Sequence, residues 1–304
     1  MEKVKSPLNY TGGKYKLLDQ IIPLFPKKIN NFFDLFMGGG NVFVNTVANN
    51  YYASDTNSYV VNLFNKFREK NIKWVMCEIE KIIEFYDLSN SFKNGYEFYN
   101  CNSSSGLSSY NKIRFEKLRS DYNNNSFKGF DKDILFYVLV IFGFNNQIRF
   151  NRNGFYNMPC GKRDFNKNLR KNLTNFVERI ISLNPTIVCN SFSCLDLSKI
   201  KEGDFFYADP PYLITTASYN ESGGWTEKDE IELLSFLKEI NRCGGSFALS
   251  NVMEHNGKEN SILKKWVLDN NFIVNYLEHN YKNSSYQKKN KELKTKEVLI
   301  RNYL

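Results

Sequence analysis

An aspartate, two prolines and a tyrosine, Asp209-Pro210-Pro211-Tyr212, close an apolar run of strand character, Phe205-Phe206-Tyr207-Ala208. Neither proline has an N–H to donate, and each fixes φ, so the chain after Asp209 must leave a sheet as a stiff loop. Proline also biases its predecessor towards extended backbone. Asp209 is thereby held at the carboxyl end of its strand, where open α/β sheets bind ligands. The Asp209 carboxylate and the Pro210 carbonyl are then two acceptors on a rigid mount, with the ring of Tyr212 beside them. Such a set suits an exocyclic amino group on a flat ring. That nitrogen is a poor nucleophile because its lone pair is conjugated; two acceptors on its N–H bonds favour a pyramidal nitrogen with the pair released. A base must leave the double helix to be held this way. Four residues alone also describe an ordinary Pro-Pro turn, so the surrounding elements decide.

Two glycine-containing stretches precede it. Ser6 to Lys14 reads Ser-Pro-Leu-Asn-Tyr-Thr-Gly-Gly-Lys, and Leu17, Leu18, Ile21 and Ile22 then recur at helical spacing before Pro23 and Pro26. A Gly-Gly turn at a helix N-terminus, with Lys14 beside it, favours anions. It lacks the spacing of a phosphate-binding Walker loop, and a plain helix cap explains it equally well. Next, Phe32-Phe33-Asp34-Leu35-Phe36 reads as a strand, Met37-Gly38-Gly39-Gly40 as a turn, and Val42, Phe43, Val44 and Val47 as the start of a helix. That layout brings backbone close to a nucleotide-like ligand. A second strand, Tyr51–Ser54, ends in Asp55, where an acid typically grips ribose hydroxyls.

From Lys66 to about Lys171 the alternation of strand and helix stops. Helical stretches (Trp74–Tyr86, Ile113–Tyr122, Asp131–Phe142) are joined by Asn/Ser-rich connections. Gln147 to Pro159 then reads as a hairpin turning at Asn153-Gly154, flanked by Arg149, Arg152, Lys162 and Arg163. A basic hairpin of this size can enter a major groove, where Arg reads guanine and Asn or Gln reads adenine. A solvated basic hairpin is the plainer alternative. Sheet grammar resumes with a helix over Phe165–Leu183, a strand over Thr186–Phe192, a helix over Thr226–Asn241, a strand over Ser246–Ser250 and a helix over Ile262–Asn270. Strands Phe272–His279 and Glu297–Tyr303 follow. Lys282–Lys296 has the profile of a mobile loop. The simplest architecture is one α/β sheet domain with a helical insert.

The chain has 304 residues, 41 Lys+Arg against 32 Asp+Glu, and a net charge of +9. The excess favours a polyanionic partner, weakly. Six cysteines include no C-x-x-C pair, and both histidines (His255, His279) stand far from any of them. We expect no metal site and no disulfide framework, but reduced thiols in a cytoplasm. No signal peptide opens the sequence, and the longest apolar run, Ile134–Phe144, is too short to cross a bilayer; no membrane partner is expected.

Four signals stand in one order: Tyr10 to Lys14, Phe36 to Gly40, the insert, and Asp209 to Tyr212. In this the chain resembles the Dam-like (D12 class, alpha group) DNA adenine methyltransferases. Those enzymes carry W-x-G-G-K, F-x-G-x-G, an insert with F-G-[FY]-N and a hairpin ending F-N-x-P-x-G, then D-P-P-Y. Phe142-Gly143-Phe144-Asn145 and Tyr156-Asn157-Met158-Pro159-Cys160-Gly161 match in kind and spacing. The resemblance implies a Rossmann-like class I methyltransferase sheet, mostly parallel with an antiparallel last strand, formed by residues 1–65 and 172–304. Residues 66–171 would be the helical and hairpin target-recognition insert.

The resemblance also implies roles. S-adenosylmethionine would be held by Tyr10, Lys14, Phe36, Gly38, Gly40, Asp55, Ser191, Phe192 and Asp209, with Ser191 standing where relatives often carry Asp. Asp209, Pro210, Pro211 and Tyr212 would be catalytic, Tyr212 stacking on the target base. Asn145, Gln147, Arg149, Asn151, Arg152 and Pro159 would contact duplex DNA, Arg149 matching the arginine that reads guanine in GATC-specific members. The implied reaction is methylation of the adenine amino group in GATC or a related palindrome. The implied protein is a monomer in solution, and a cognate restriction endonuclease acting separately is a companion the family allows. Three alternatives stay open: a non-catalytic DNA-binding protein of the same fold, an RNA adenine methyltransferase, and a protein-glutamine methyltransferase. The last class usually carries Asn-Pro-Pro-Tyr and lacks a basic insert.

Overall fold

The computed structural model describes residues 2–215, 224–278 and 295–304. The stretch expected as a mobile loop, Lys282–Lys296, lies outside them up to position 294. In chain order the helices are α1 (Leu18–Ile21), α2 (Ser58–Glu69), α3 (Ile72–Phe85), α4 (Ser91–Asn94), α5 (Ser108–Asn123), α6 (Lys132–Phe142), α7 (Lys167–Leu183), α8 (Glu227–Arg242) and α9 (Ser261–Asn270). The strands are β1 (Asn31–Asp34), β2 (Asn50–Asp55), β3 (Thr186–Cys189), β4 (Asp204–Ala208), β5 (Ser246–His255), β6 (Lys258–Glu259), β7 (Ile273–Leu277) and β8 (Lys296–Arg301). The chain divides into two compact units: Met1–Gly13, Gly38–Val44 and Asn57–Ile187 form the first, and Lys14–Met37, Asn45–Thr56 and Val188–Leu304 the second.

The second unit is built on a twisted sheet of order β3-β2-β1-β4-β5-β8-β7, with β6 paired to β5. β1 pairs in parallel with β2 and β4, and β4 with β5. β8 runs antiparallel to both β5 and β7. This is the mostly parallel sheet with an antiparallel last strand that the family resemblance implies. Every residue of β4 is buried because both sheet faces are covered. Phe206 and Ala208 pack with Leu233, Leu237 and Ile240 of α8. Phe205 and Tyr207 face the other way, against Phe25 at ring-centroid distances of 4.7 and 5.5 Å. The strand order reverses between β1 and β4, and the crevice at the carboxyl ends of two such strands is where this class of sheet takes ligands.

The first unit is helical. α6 is apolar all round, and all of Ile134–Phe142 is buried, so it needs neighbours on every side. Its partners are α2, α3 and α5, and α7 packs on α2 and α3. Asp131 caps α6 through the N–H groups of Asp133 and Ile134 and pairs with Lys66 at 3.0 Å.

Several expected elements differ in detail. The helix expected after Gly40 is a single turn, Phe43–Asn45, because Val42, Phe43 and Val44 are all buried and leave no solvent face for an amphipathic helix. The helix expected from Leu17 is broken into a 3-10 turn, α1 and a second 3-10 turn at Pro23. The strand expected to reach Phe192 stops at Cys189, where Ser191 caps a turn over Phe192–Cys194. β5 runs on to His255 and turns back through Asn256-Gly257 into β6, a hairpin not expected above although Asn-Gly is its usual signal.

Gly40 has φ +75°, and a Cβ built there would lie 2.8 Å from Phe43, 3.0 Å from Phe64 and 3.2 Å from Phe176. Gly40→Ala therefore adds backbone strain to overpacking. We expect it to destabilise the fold by about 1–3 kcal/mol, read from the midpoint of a urea titration.

Candidate active site

The prolines after β4 carry Asp209 out of the sheet, as its sequence requires. Its Oδ1 lies 2.8 Å from Nζ of Lys14, which is only 4% exposed although it is a lysine. Lys14 opens the turn preceding α1. The same ammonium is 3.5 Å from Oε1 of Glu297, near the start of β8. The Tyr212 hydroxyl is within reach of both carboxylates, 3.1 Å from Oδ1 of Asp209 and 3.0 Å from Oε1 of Glu297. It has one proton, so it donates to one at a time. Lys14 Nζ also stands 5.0 Å from the centre of the Tyr212 ring. These four residues belong to the second unit.

Burial pushes the Asp209 carboxyl above the ordinary carboxylate range. The Lys14 charge opposes that shift and the Glu297 charge adds to it. The Tyr212 phenol is held well above its usual value by burial, then by the charges of Asp209 and Glu297, so it stays protonated. Behind them, the Tyr207 hydroxyl meets Ser250 Oγ at 2.7 Å in the core.

A second group lies at the carboxyl ends of β1 and β3. Phe36 sits 5.5 Å from Phe192 and 5.8 Å from Trp225, ring centre to ring centre. Trp225 is fixed by a buried carboxylate: its Nε1–H donates to Glu230 Oε2 at 2.6 Å, while Asn251 and Asn260 each donate to Oε1 at 3.0 Å. Burial raises the Glu230 carboxyl, and those three bonds oppose the rise. The Ser191 hydroxyl is engaged locally, accepting from the Ser193 N–H and lying 3.0 Å from Ser193 Oγ. Asp55 ends β2, beside β1.

The remaining sequence candidates lie in the first unit. Gly38 and Gly40 both have positive φ, and between them a Cβ at Gly39 would come 2.9 Å from the Tyr10 Cβ. The expected hairpin is present but short: Phe150 bridges Tyr156 in antiparallel sense, Asn151 N–H donates to the Phe155 carbonyl at 2.8 Å and Asn157 N–H to the Arg149 carbonyl at 3.1 Å. Its turn is three residues, Arg152-Asn153-Gly154, with Gly154 at φ +76°; a type I turn with a left-handed glycine replaces the two-residue turn. Asn151 Oδ1 accepts from the N–H groups of Asn153 and Phe155, so its amide oxygen serves the loop itself. Asn123, at the end of α5, pairs with both backbone groups of Tyr156 like a missing strand. Phe150 stacks on Tyr59 at 4.0 Å.

Arg149 is exposed, with Nε donating to Asn157 Oδ1 at 2.8 Å and Nη2 to the Asn157 carbonyl at 3.2 Å. These two bonds pin the Nε–Nη2 edge of the guanidinium. Asn145 and Asn146 both adopt left-handed backbone, and Asn9 donates to the Asn145 carbonyl at 2.9 Å. Gln147 is half-buried, its carbonyl accepting from the Tyr156 hydroxyl at 3.1 Å. The Pro159 carbonyl accepts from the Phe144 N–H at 2.8 Å.

With an aspartate, two prolines and a tyrosine leaving β4, a lysine ahead of α1 and a pinned arginine in the first unit, the comparison with known sequences is decisive. The sequence pattern of the D12 class N6 adenine-specific DNA methyltransferases matches residues 10–301. The chain belongs to that family. Among its relatives, the modification methylase StsI of Streptococcus sanguinis is 43% identical over 307 residues, covering 99% of this chain and 43% of its own length. The type II methyltransferase M.FokI of Planomicrobium okeanokoites is 40% identical over 306 residues, with the same coverage. The DNA adenine methylase of Escherichia coli K12 is 27% identical over 240 residues, covering 79% of this chain and 76% of its own. The chain thus spans less than half the length of the first two relatives.

Glu297, Trp225 and Glu230 were missed by the family motifs and by our reading. The signal for Glu297 was faint: one carboxylate ahead of the apolar run Val298-Leu299-Ile300. Trp225 stands directly before the Thr226 capping box of α8. Glu230→Ala would strand three N–H donors, two of them on buried asparagines. We expect it to cost about 3 kcal/mol, at roughly 1 kcal/mol or more per unsatisfied group, and to move Trp225 emission, seen by denaturation followed through tryptophan fluorescence.

Proposed function

We propose that this chain methylates the exocyclic amino group of adenine in a short duplex DNA site, using S-adenosylmethionine as donor. The observation that carries this reading is Asp209 on its two-proline mount, partly desolvated beside Lys14 and next to Tyr212. The Asp209 carboxylate and the Pro210 carbonyl accept from the two N–H bonds of a flipped adenine, leaving the nitrogen lone pair available. Such preorganised acceptors need no rearrangement of water as charge develops.

The residues suit the donor. Asp209 and Glu297 outnumber Lys14 in charge around this pocket, which favours a cationic ligand. Phe36 and Phe192 offer flat faces to its adenine, and Asp55 an acceptor to its ribose. When bound, S-adenosylmethionine supplies an electrophilic methyl group. The chain's own residues orient the amino nitrogen and exclude water from it. No covalent bond to the protein is required.

Residues 66–171 serve target recognition in this reading, and Arg149 is the specificity residue. Asn157 holds the Nε–Nη2 edge of its guanidinium, and the group so fixed meets guanine O6 and N7. Asn145, Gln147, Arg152 and Pro159 surround the same loop. GATC or a related palindrome is the first site to test. Relatives that are modification methylases favour a role beside a separate restriction endonuclease. A cytoplasmic location fits that role; among the described residues no helix is long and apolar enough to cross a membrane.

Asp209→Ala should lower methyl transfer about 10²–10³-fold, the cost of one lost preorganised group, while gel-shift affinity for DNA is kept. Transfer of tritiated methyl groups at the parental rate by that variant would refute the mechanism, and label on cytosine would refute the target. Arg149→Ala should relax sequence choice, losing about 1–3 kcal/mol of discrimination. Modified-base sequencing of DNA from a methylation-free host expressing each chain reads both the site and its loosening.

A further inference from the structure

The Asp209 Oδ1 atom is already occupied. Lys14 Nζ is 2.8 Å away and the Tyr212 hydroxyl 3.1 Å. An adenine amino group therefore meets the other oxygen, Oδ2, and the carboxylate presents that atom steadily only while Lys14 and Tyr212 hold Oδ1. Oε1 of Glu297 stands within reach of both these donors, at 3.5 Å from Lys14 Nζ and 3.0 Å from the Tyr212 hydroxyl. Its side chain is 6% exposed, so it is a fixed part of the pocket wall and not a solvated surface acid.

We infer that Glu297 is a positioning residue of the reaction: it anchors Lys14 and Tyr212, and through them keeps Asp209 Oδ2 aimed at the target amino group. The inference rests on the role of Asp209 proposed above. No bond to carbon is involved and no proton changes owner. Lys14 keeps its three protons and Tyr212 its one. The Tyr212 hydroxyl lies between the two carboxylates, so the same contacts fix the ring that stands beside the incoming base.

The groups facing Asp209 are Lys14 from the turn before α1, Glu297 from β8, Tyr207 from β4 and Tyr212 from its own loop. Of these, Glu297 raises the Asp209 carboxyl and Lys14 and Tyr212 lower it. Removing the Glu297 charge therefore lets Asp209 ionise at lower pH.

The test uses the full 304-residue chain with Glu297→Gln and Glu297→Asp. Glutamine keeps an acceptor oxygen but loses the charge that holds an ammonium. We expect kcat to fall about tenfold, the equivalent of one pKa unit of interaction, with KM for DNA nearly unchanged and the acid limb of the kcat profile moved to lower pH. Aspartate keeps the charge and loses reach, so kcat should fall while the acid limb stays in place. Parental kcat in either folded variant, or an acid limb that glutamine does not move, would overturn the inference. If glutamine prevents folding, seen by thermal melts, the aspartate variant alone decides through kcat. Asp209→Ala run in parallel separates the two levels. Its loss of transfer with unaffected Glu297 variants refutes the role of Glu297 and leaves that of Asp209 standing. A parent chain that transfers nothing refutes the underlying reading.

Discussion

One ammonium and two carboxylates share a space from which water is largely excluded, and the phenol of Tyr212 lies between the acids. Two acids so close together cannot both ionise without a counter-charge, because desolvation and mutual repulsion each favour the neutral forms. Lys14 supplies that counter-charge, and its position is therefore as consequential as that of Asp209. Segments far apart in sequence must converge on it: the turn before α1, the loop after β4 and the start of β8. The loop after β4 leaves the carboxyl end of the parallel strands, the antiparallel β8 begins opposite the end of β5, and the turn before α1 meets them from outside the sheet.

The same economy of acceptors recurs away from this pocket. Glu230 gathers an indole and two amides around one carboxylate, and no cation is among those donors. Asn123 supplies a donor and an acceptor to Tyr156 where a neighbouring strand would have done so. In each case a polar side chain satisfies backbone or ring groups that irregular loops leave without ladder partners. The ordered loop around Arg149 follows from this, since it has almost no sheet of its own.

Much of the frame was legible in the sequence because its signals are local. The two prolines fix how the chain leaves β4, the strand and helix periods identify nearly every long element, and the apolar run Ile134–Phe144 contains the buried α6. The glycine turn misled because Val42, Phe43 and Val44 look like one face of a helix. Only the packing reveals that all their sides are covered. Glu297 was illegible for a different reason. It meets Tyr212 across 85 positions of chain, and nothing near it in sequence distinguishes it from a solvated acid at a strand start. The role of Ser191 was equally hidden, since a serine after a strand reads as a ligand contact or as a cap, and here it makes the cap.

The slot filled by β8 lies between β5 and β7, both of which precede it in the chain. During synthesis from the N-terminus, the sheet must wait with that slot vacant until residues 296–301 have left the ribosome. Glu297 arrives with them, so the acid pair around Lys14 is the last part of the pocket to be assembled. A polypeptide that lacks β8 lacks Glu297, and with it the second carboxylate that Lys14 and Tyr212 reach here. Completion of the pocket is in this way tied to completion of the sheet.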